Sequence, residues 1–379
     1  MMDATDLPRL CEQRGWKNRA RLMLELRAAA RRKNRGLLPD DASLKRMIRE
    51  WIHGRRGLSP EYADLFAEVF SVPFAVGKPG TVALTPSSDG ADLAARLSAA
   101  EALDGELIKL LERQTDDYRA LDRQLGAARL LQQTQAHVDQ MTDLWRYALP
   151  GAHRIGLAAA VAEASALAGW QALDLGDPHH AWSLHETAKS AARESNDASI
   201  VAHVTAQQAY ALLDLDRPKD ATALIQHARA EADGRVPAML RSWLWAAEAE
   251  ALSASGEADR AQQALDEAAK ALPDQATTDS LPYLFLNEVH LARWRGHCLA
   301  RLGKAEAVQE LTVAVERLDP TFTRAAAGLR CDLALAYSVR GQHEKARDEA
   351  RTAEALAART SSTRQRRRIA QLLTSGSER

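Results

Sequence analysis

Between residues 43 and 56 the chain places Ser43, Lys45, Arg46, Arg49, Arg55 and Arg56 around an apolar set of Leu44, Met47, Ile48 and Trp51. On a helix with about 3.6 residues per turn, the apolar four share one face. Ser43, Lys45, Arg46 and Arg49 then point the other way, and Arg55 and Arg56 lie just past the helix end. An exposed guanidinium can bond a guanine edge bidentately in a major groove, and any cation can sit on a phosphate. The charge distribution agrees. Residues 1–60 carry 15 Lys+Arg against 7 Asp+Glu, whereas the remainder carries 35 against 44, for a net charge of −1. A basic head on an acidic body suits a head that meets an anionic polymer.

Other candidate chemistry is sparse. There is no nucleophile elbow, phosphate-cradling glycine loop or HExxH pattern. His180 and His185 are five residues apart, off the four-residue spacing of helical metal pairs, and read with His179 as solvated polar residues. Cys11, Cys298 and Cys331 are few, scattered and odd in number, so neither a disulfide framework nor a zinc knuckle is expected. These absences predict a protein that is not an enzyme, with no catalytic residues, no metal and no cofactor. No apolar run approaches the roughly 18 residues of a membrane span. The first residues, MMDATDLPRL, lack the basic and then apolar order of a signal peptide. A cytoplasmic, nucleoid-associated protein without membrane contact is the expectation.

The elements that must position these groups read as helices throughout, as a chain rich in Ala, Leu, Arg and Glu favours. Short helices are expected near 5–15, 18–33, 44–52 and 60–72. Asp41 or Ser43 would cap the third, and Ser59 with Pro60 would open the fourth. Residues 77–90, GKPGTVALTPSSDG, read as a linker. From 91 to 150 an apolar stripe suggests a connecting hairpin of two long helices.

Beyond 150 the chain repeats. Leu173-Asp174-Leu175-Gly176-Asp177-Pro178 aligns with Leu213-Asp214-Leu215-Asp216-Arg217-Pro218, and Ala181, Ala221 and Ala261 follow at intervals of 40. Further turns fall at Gly256, Gly303 and Gly341, the last two steps being 47 and 38. A helix–turn–helix unit of this period implies a solenoid. Small residues at Gly169, Ala209, Ala249, Gly296 and Ala334, and Ala181, Ala221, Ala261 and Ala346 after the turns, with Val308 a departure, resemble tetratricopeptide repeats over about 155–358. This alignment turns Trp170, Tyr210, Trp243, Arg293 and His297 toward the concave side as a groove for a peptide, small molecule or protein. Trp182 and Trp245 read as core. The tail from Ser361, with its run of arginines to Arg368, reads as a basic helix that caps the solenoid, mediates dimer contacts or touches phosphate.

Ile48, Trp51, Gly54, Arg55, Arg56 and Pro60 resemble the reading helix and following helix of the Cro/repressor-like helix-turn-helix family. Combined with the hairpins, the plan resembles the helix-turn-helix plus tetratricopeptide regulators of high-GC bacteria. The resemblance implies an all-α fold: a small helix-turn-helix-like DNA-binding domain (1–76), the linker (77–90), the connecting hairpin (91–150), a right-handed tetratricopeptide-like solenoid (151–358) and the basic C-terminal helix (359–379). It implies a homodimeric transcriptional regulator of double-stranded DNA whose solenoid senses a ligand. The segment 35–42 is longer than that family's turn, and Glu50 and Ile52 depart from its pattern. They favour the alternative, a tetratricopeptide scaffold that does not bind DNA and docks another regulatory protein.

Overall fold

The computed structural model describes residues 2, 4–16, 19–33, 38–52, 57–76, 88–273, 281–284 and 286–375. Residues Met1–Ala91 and Asp92–Arg379 form two compact units. Among the described residues the chain is helical, with a single isolated bridge between Met2 and Phe74 and no strand.

In the first unit, a 3-10 turn leads into α1 (Leu7–Gln13), followed by α2 (Arg19–Arg32), α3 (Asp41–Ile52) and α4 (Pro60–Phe70). The apolar face of α3 is buried, with Trp51 in contact with Tyr62 and Phe66 at ring centroid distances of 4.6 and 5.6 Å. Leu22, Leu26 and Ala29 from α2 and Leu65, Phe66 and Val69 from α4 complete this core. Ser59 caps α4, its hydroxyl accepting from the Tyr62 N–H at 3.4 Å. The residue that serves the start of α3 is Asp40, not Asp41 or Ser43. Its carboxylate accepts from the Ser43 N–H at 3.0 Å and from the Ser43 hydroxyl at 2.9 Å. A carboxylate one turn before the exposed amides can reach them, which one already inside the helix cannot.

The second unit takes in most of α5 (Ser88–Glu101), then α6 (Gly105–Leu125) and α7 (Leu131–Tyr147). The stretch 91–150 therefore holds three helices where two were expected. The extra break comes at Asp104, which leaves the helix to accept from the Leu107 N–H at 2.8 Å. Helix pairs α8 (Ala152–Asp174) and α9 (Pro178–Ser195), α10 (Ala198–Asp214) and α11 (Pro218–Ala232), α12 (Ala238–Ala254) and α13 (Ala258–Ala271), α14 (Glu288–Arg301) and α15 (Ala307–Arg317), and α16 (Thr323–Val339) and α17 (His343–Thr360) follow, then α18 (Thr363–Ser375). These are stacked hairpins of a tetratricopeptide-like solenoid.

Turn chemistry explains the repetition. The residues aligned at the turns, Gly176, Asp216, Gly256, Gly303 and Gly341, all adopt the left-handed conformation with φ between 57 and 82°. Each turn closes with the same two bonds. At the first, the Gly176 N–H donates to Leu173 and the Asp177 N–H to Ala172; at the last, Gly341 donates to Ser338 and Gln342 to Tyr337. This is the Schellman closure, in which a residue free to take positive φ satisfies the last carbonyls of a helix. Small residues then set the approach of paired helices. A Cβ on Gly169 would lie 2.6 Å from the His185 ring, and one on Gly296 would lie 2.6 Å from Leu311. At the fourth hairpin α15 begins four residues past Gly303, where the other hairpins begin two past their turn, and the small residue that packs inward is Ala307, fully buried, with Val308 only partly buried.

Two readings need correction. His185 is completely buried, its Nδ1 2.7 Å from the Ala181 carbonyl, because it fills the space that Gly169 leaves. Trp182 is 37 % exposed, because at one position past Ala181 it leaves the packed face of α9.

The solenoid's last elements touch its first. Gly126, after α6, approaches Thr360 so closely that a Cβ would lie 2.2 Å from the Thr360 carbonyl oxygen. Arg324 pairs with Asp122 at 2.5 Å and lies 3.7 Å from Asp174. Ser362 donates to Asp174 at 2.6 Å, and Arg364 to Asp214 at 2.9 Å. The C-terminal helix is thus a clasp of the solenoid. Ile369 is buried against Ala327, Cys331 and Ala353, and Arg364 and Arg368 turn inward.

Candidate functional site

A cavity of about 1170 Å³ lies inside the second unit, lined by α6, the first helix of each hairpin from α8 to α16, and α18. Trp170, Tyr210, Trp243, Arg293 and His297 all line it. They come from consecutive repeats because the register of the turns carries over to the helices before them. Positions 170, 210, 250, 297 and 335 repeat at the turn spacings, and all five line the cavity, as do 163, 203 and 243.

The walls are aromatic and charged. Trp170 and Tyr210 meet edge to face at 5.5 Å, and the Arg364 guanidinium lies over both rings at 5.6 and 5.8 Å. His203 packs between Trp243 and Tyr283 at 5.0 and 4.5 Å. Glu250 accepts from the Tyr210 hydroxyl at 3.1 Å and from Trp294 Nε1 at 2.8 Å. His297 links two acids, its Nδ1 2.9 Å from Asp332 and its Nε2 3.5 Å from Glu250, and Arg368 bonds Asp332 from the C-terminal helix. Arg119 joins Glu163 at 2.8 Å.

Electrostatics follow from this wiring. Burial alone would raise the carboxyl of Glu250, yet His297, Arg364 and the Trp294 hydrogen bond hold it below its ordinary value. Asp332 is likewise lowered against its own burial, by Arg368 and His297. Burial pushes the Tyr210 hydroxyl well up, and Glu250 adds to it. Burial also holds His203 down at about 3, so its ring is neutral.

The sequence reading missed Arg119, Glu163, His203, Glu250, Trp294, Arg324, Asp332, Arg364 and Arg368. For Glu163, His203 and Glu250 a signal was available, since Glu163 and His203 repeat the register of Trp243 two steps and one step before it, and Glu250 that of Tyr210 one step after. Arg364 and Arg368 reach the cavity only because the C-terminal helix docks across the stack. Trp245 is partly buried against the core, with the Arg229 guanidinium 3.6 Å from its ring centroid.

In the first unit, Lys45, Arg46 and Arg49 are exposed on the face of α3 opposite Trp51. Ser43 is half-buried and bonded to Asp40. Arg55 and Arg56 lie outside the described residues. Arg32 and Lys33 at the end of α2, by contrast, pair with Glu68 and Asp64 of α4 at 3.2 and 2.7 Å, which ties the helices together. Among the described residues, no group of three or more His, Cys, Asp or Glu is placed to hold a metal, and no helix is long and apolar enough to cross a membrane.

Neither a family profile nor a curated protein matches the chain. Solved structures do. A Rap protein complexed with Competence and Sporulation Factor is 14 % identical, with a TM-score of 0.46 over 84 % of this chain and 93 % of its own. BtubC (BKLC) from P. vanneervenii is 15 % identical, with a TM-score of 0.43 over 62 % of this chain and 91 % of its own. A putative kinesin light chain of Podospora anserina with TPR-like repeats is 17 % identical, with a TM-score of 0.34 over 52 % of this chain and 94 % of its own.

Proposed function

We propose that the protein is a DNA-binding transcriptional regulator, acting in the cytoplasm on the nucleoid, whose solenoid senses a ligand in its central cavity. The observation that carries the DNA reading is α3, a helix anchored by Trp51 and Ile48 that offers Lys45, Arg46 and Arg49 on one exposed face. A cationic face on a helix held rigidly by its opposite side suits a major groove. One such helix binds modestly, so the reading includes a homodimer that presents two. The sensing reading is supported by a cavity whose volume exceeds the roughly 300–1,000 Å³ of most small-molecule pockets. The reading assigns the protein no catalytic role.

A gel shift with fragmented genomic DNA tests the first half. Binding should weaken steeply with salt, as counterion release requires. Arg46→Glu with Arg49→Glu should abolish it while the thermal melt stays in place. Retained binding in that double variant removes α3 as the reading helix. Recovery of a stoichiometric protein partner in place of DNA replaces this reading with a docking scaffold.

A further inference from the structure

Eight arginines and seven carboxylates line the cavity, so its wall carries one positive charge in excess with the histidines counted neutral. Most of these charges are spent on one another. Arg324 serves Asp122 and Asp174, Arg119 serves Glu163, Arg364 serves Asp214 and Arg368 serves Asp332. Glu250 accepts instead from Tyr210 and Trp294. Four arginines are left over. Arg123, Arg293, Arg301 and Arg367 make no hydrogen bond or ion pair among the described residues.

Two of the four, Arg293 and Arg301 of α14, gather about the same carboxylate. Against burial, His297, Arg364, the Trp294 hydrogen bond and Arg301 draw Glu250 down. Burial holds the Arg293 guanidinium below its ordinary value, although Glu250 supports its charge. A guanidinium carries five N–H donors in a planar fork, and keeping them from water without an acceptor is costly. The fork matches a carboxylate or a phosphate, with two bonds side by side.

Rings begin at the same place. Arg293 lies over the Trp294 ring at 4.9 Å, Trp294 and Tyr210 both donate to Glu250, and Tyr210 meets Trp170 at 5.5 Å. All three rings line the cavity. A flat apolar body packs on such a wall, edge to face or stacked with an offset. Charge then chooses the acid. One carboxylate cancels the excess on the wall, whereas a phosphomonoester, at about −1.5 to −2, overshoots it.

We infer that the cavity binds a small organic acid that carries a ring, its single carboxylate held by Arg293 and Arg301 and its ring against Trp294, Tyr210 and Trp170. This rests on the sensing half of the function proposed above.

The test is isothermal titration calorimetry of the full chain with three probes that share one ring system: naphthylacetate, the uncharged naphthylacetamide and naphthyl phosphate. A pool of end-blocked heptapeptides of mixed sequence is titrated alongside. The acid should bind about tenfold more tightly than the amide, as one charge-assisted contact provides, and more tightly than the phosphate ester. Arg293→Gln should remove about that tenfold and leave the amide unchanged. It breaks no bond among the described residues, so the thermal melt should not fall. Arg301 is exposed, and Arg301→Gln should weaken the acid alone by about two- to fivefold, which keeps the test sound should Arg293→Gln unfold. Equal binding of acid and amide, or a preference for the acid that survives both substitutions, overturns the inference. Tighter binding of the phosphate ester overturns the single carboxylate. Binding of the peptide pool with none of the three naphthyl probes overturns the small acid while the sensing cavity stands. Silence from every probe overturns both.

Discussion

Gly126→Ala tests the closure of the solenoid at one atom. Gly126 ends α6 with φ 81° and ψ 166°, a conformation almost reserved for glycine. Holding alanine there costs about 1–3 kcal/mol. The new methyl would also lie 2.2 Å from the Thr360 carbonyl oxygen and 2.7 Å from its Cβ, deep inside contact distance. Neither neighbour is the loose end of a flexible chain. The Thr360 oxygen belongs to the backbone at the end of α17, and the residue is fully buried. Forcing extra volume into a packed site costs about another 1–3 kcal/mol. The two effects together come to about 4 kcal/mol. For domains of 150–250 residues each kcal/mol lowers Tm by about 2–4 °C, and the second unit is larger, so a fall of about 8 °C is expected. Differential scanning calorimetry measures it. Gly105→Ala is the control: it lies in the first turn of α6 with nothing near its added methyl, and should be neutral or stabilise by up to about 1 kcal/mol. If Gly126→Ala melts within about 1 °C of the parent, the close approach of α6 to α17 does not hold the two ends together, and the argument from closure fails.

Three further outcomes follow from the same structure. Arg324→Ala strands Asp122 and leaves Asp174 only its Ser362 hydrogen bond, both carboxylates being almost fully buried, and should cost about 3–5 kcal/mol in urea unfolding; a loss below about 1 kcal/mol would mean that water already satisfies them. Trp51→Ala should destabilise the first unit by about 3–5 kcal/mol and leave the melt of the second unchanged, as read by amide exchange in each unit. Acid should weaken the second unit, because burial holds His203 at about 3 and His290 at about 4. The unfolded chain takes up protons below about pH 6.5 where the folded one does not, so this contribution is intact above about 6.5 and shrinks as pH falls toward 4. The slope is up to about 1.4 kcal/mol per pH unit for each ring. Melts from pH 8 to 4.5 should show the decline, and His203→Phe should make it shallower; an unchanged slope would clear His203 of the effect.

Much of the second unit was legible because its signals are local. A left-handed residue after a helix and a small residue opposite a bulky one act within one hairpin, so Gly176, Gly303 and Gly169 announce themselves by type and spacing. Asp216 was legible only through its alignment with Gly176, since its own type does not demand positive φ. The groove positions Trp170, Tyr210 and His297 follow from that register, because residues at one phase of successive repeats share one side of the stack. In the first unit the apolar face of α3 was plain from its period, whereas its true cap, Asp40, lay one residue before the positions considered.

The sequence by itself thus determined the hairpins, their register and the side of each helix that faces inward, since each depends on contacts a turn or a repeat apart. Only the tertiary structure decided what completes the cavity. Arg324 meets Asp122, Ser362 meets Asp174 and Arg364 meets Asp214 across separations of 202, 188 and 150 residues. An arginine in a basic tail looks the same in the sequence whether it faces water, phosphate or a buried carboxylate. The accumulated curvature of the intervening repeats brings the acids of the first hairpins within its reach, and that curvature is a property of the whole stack.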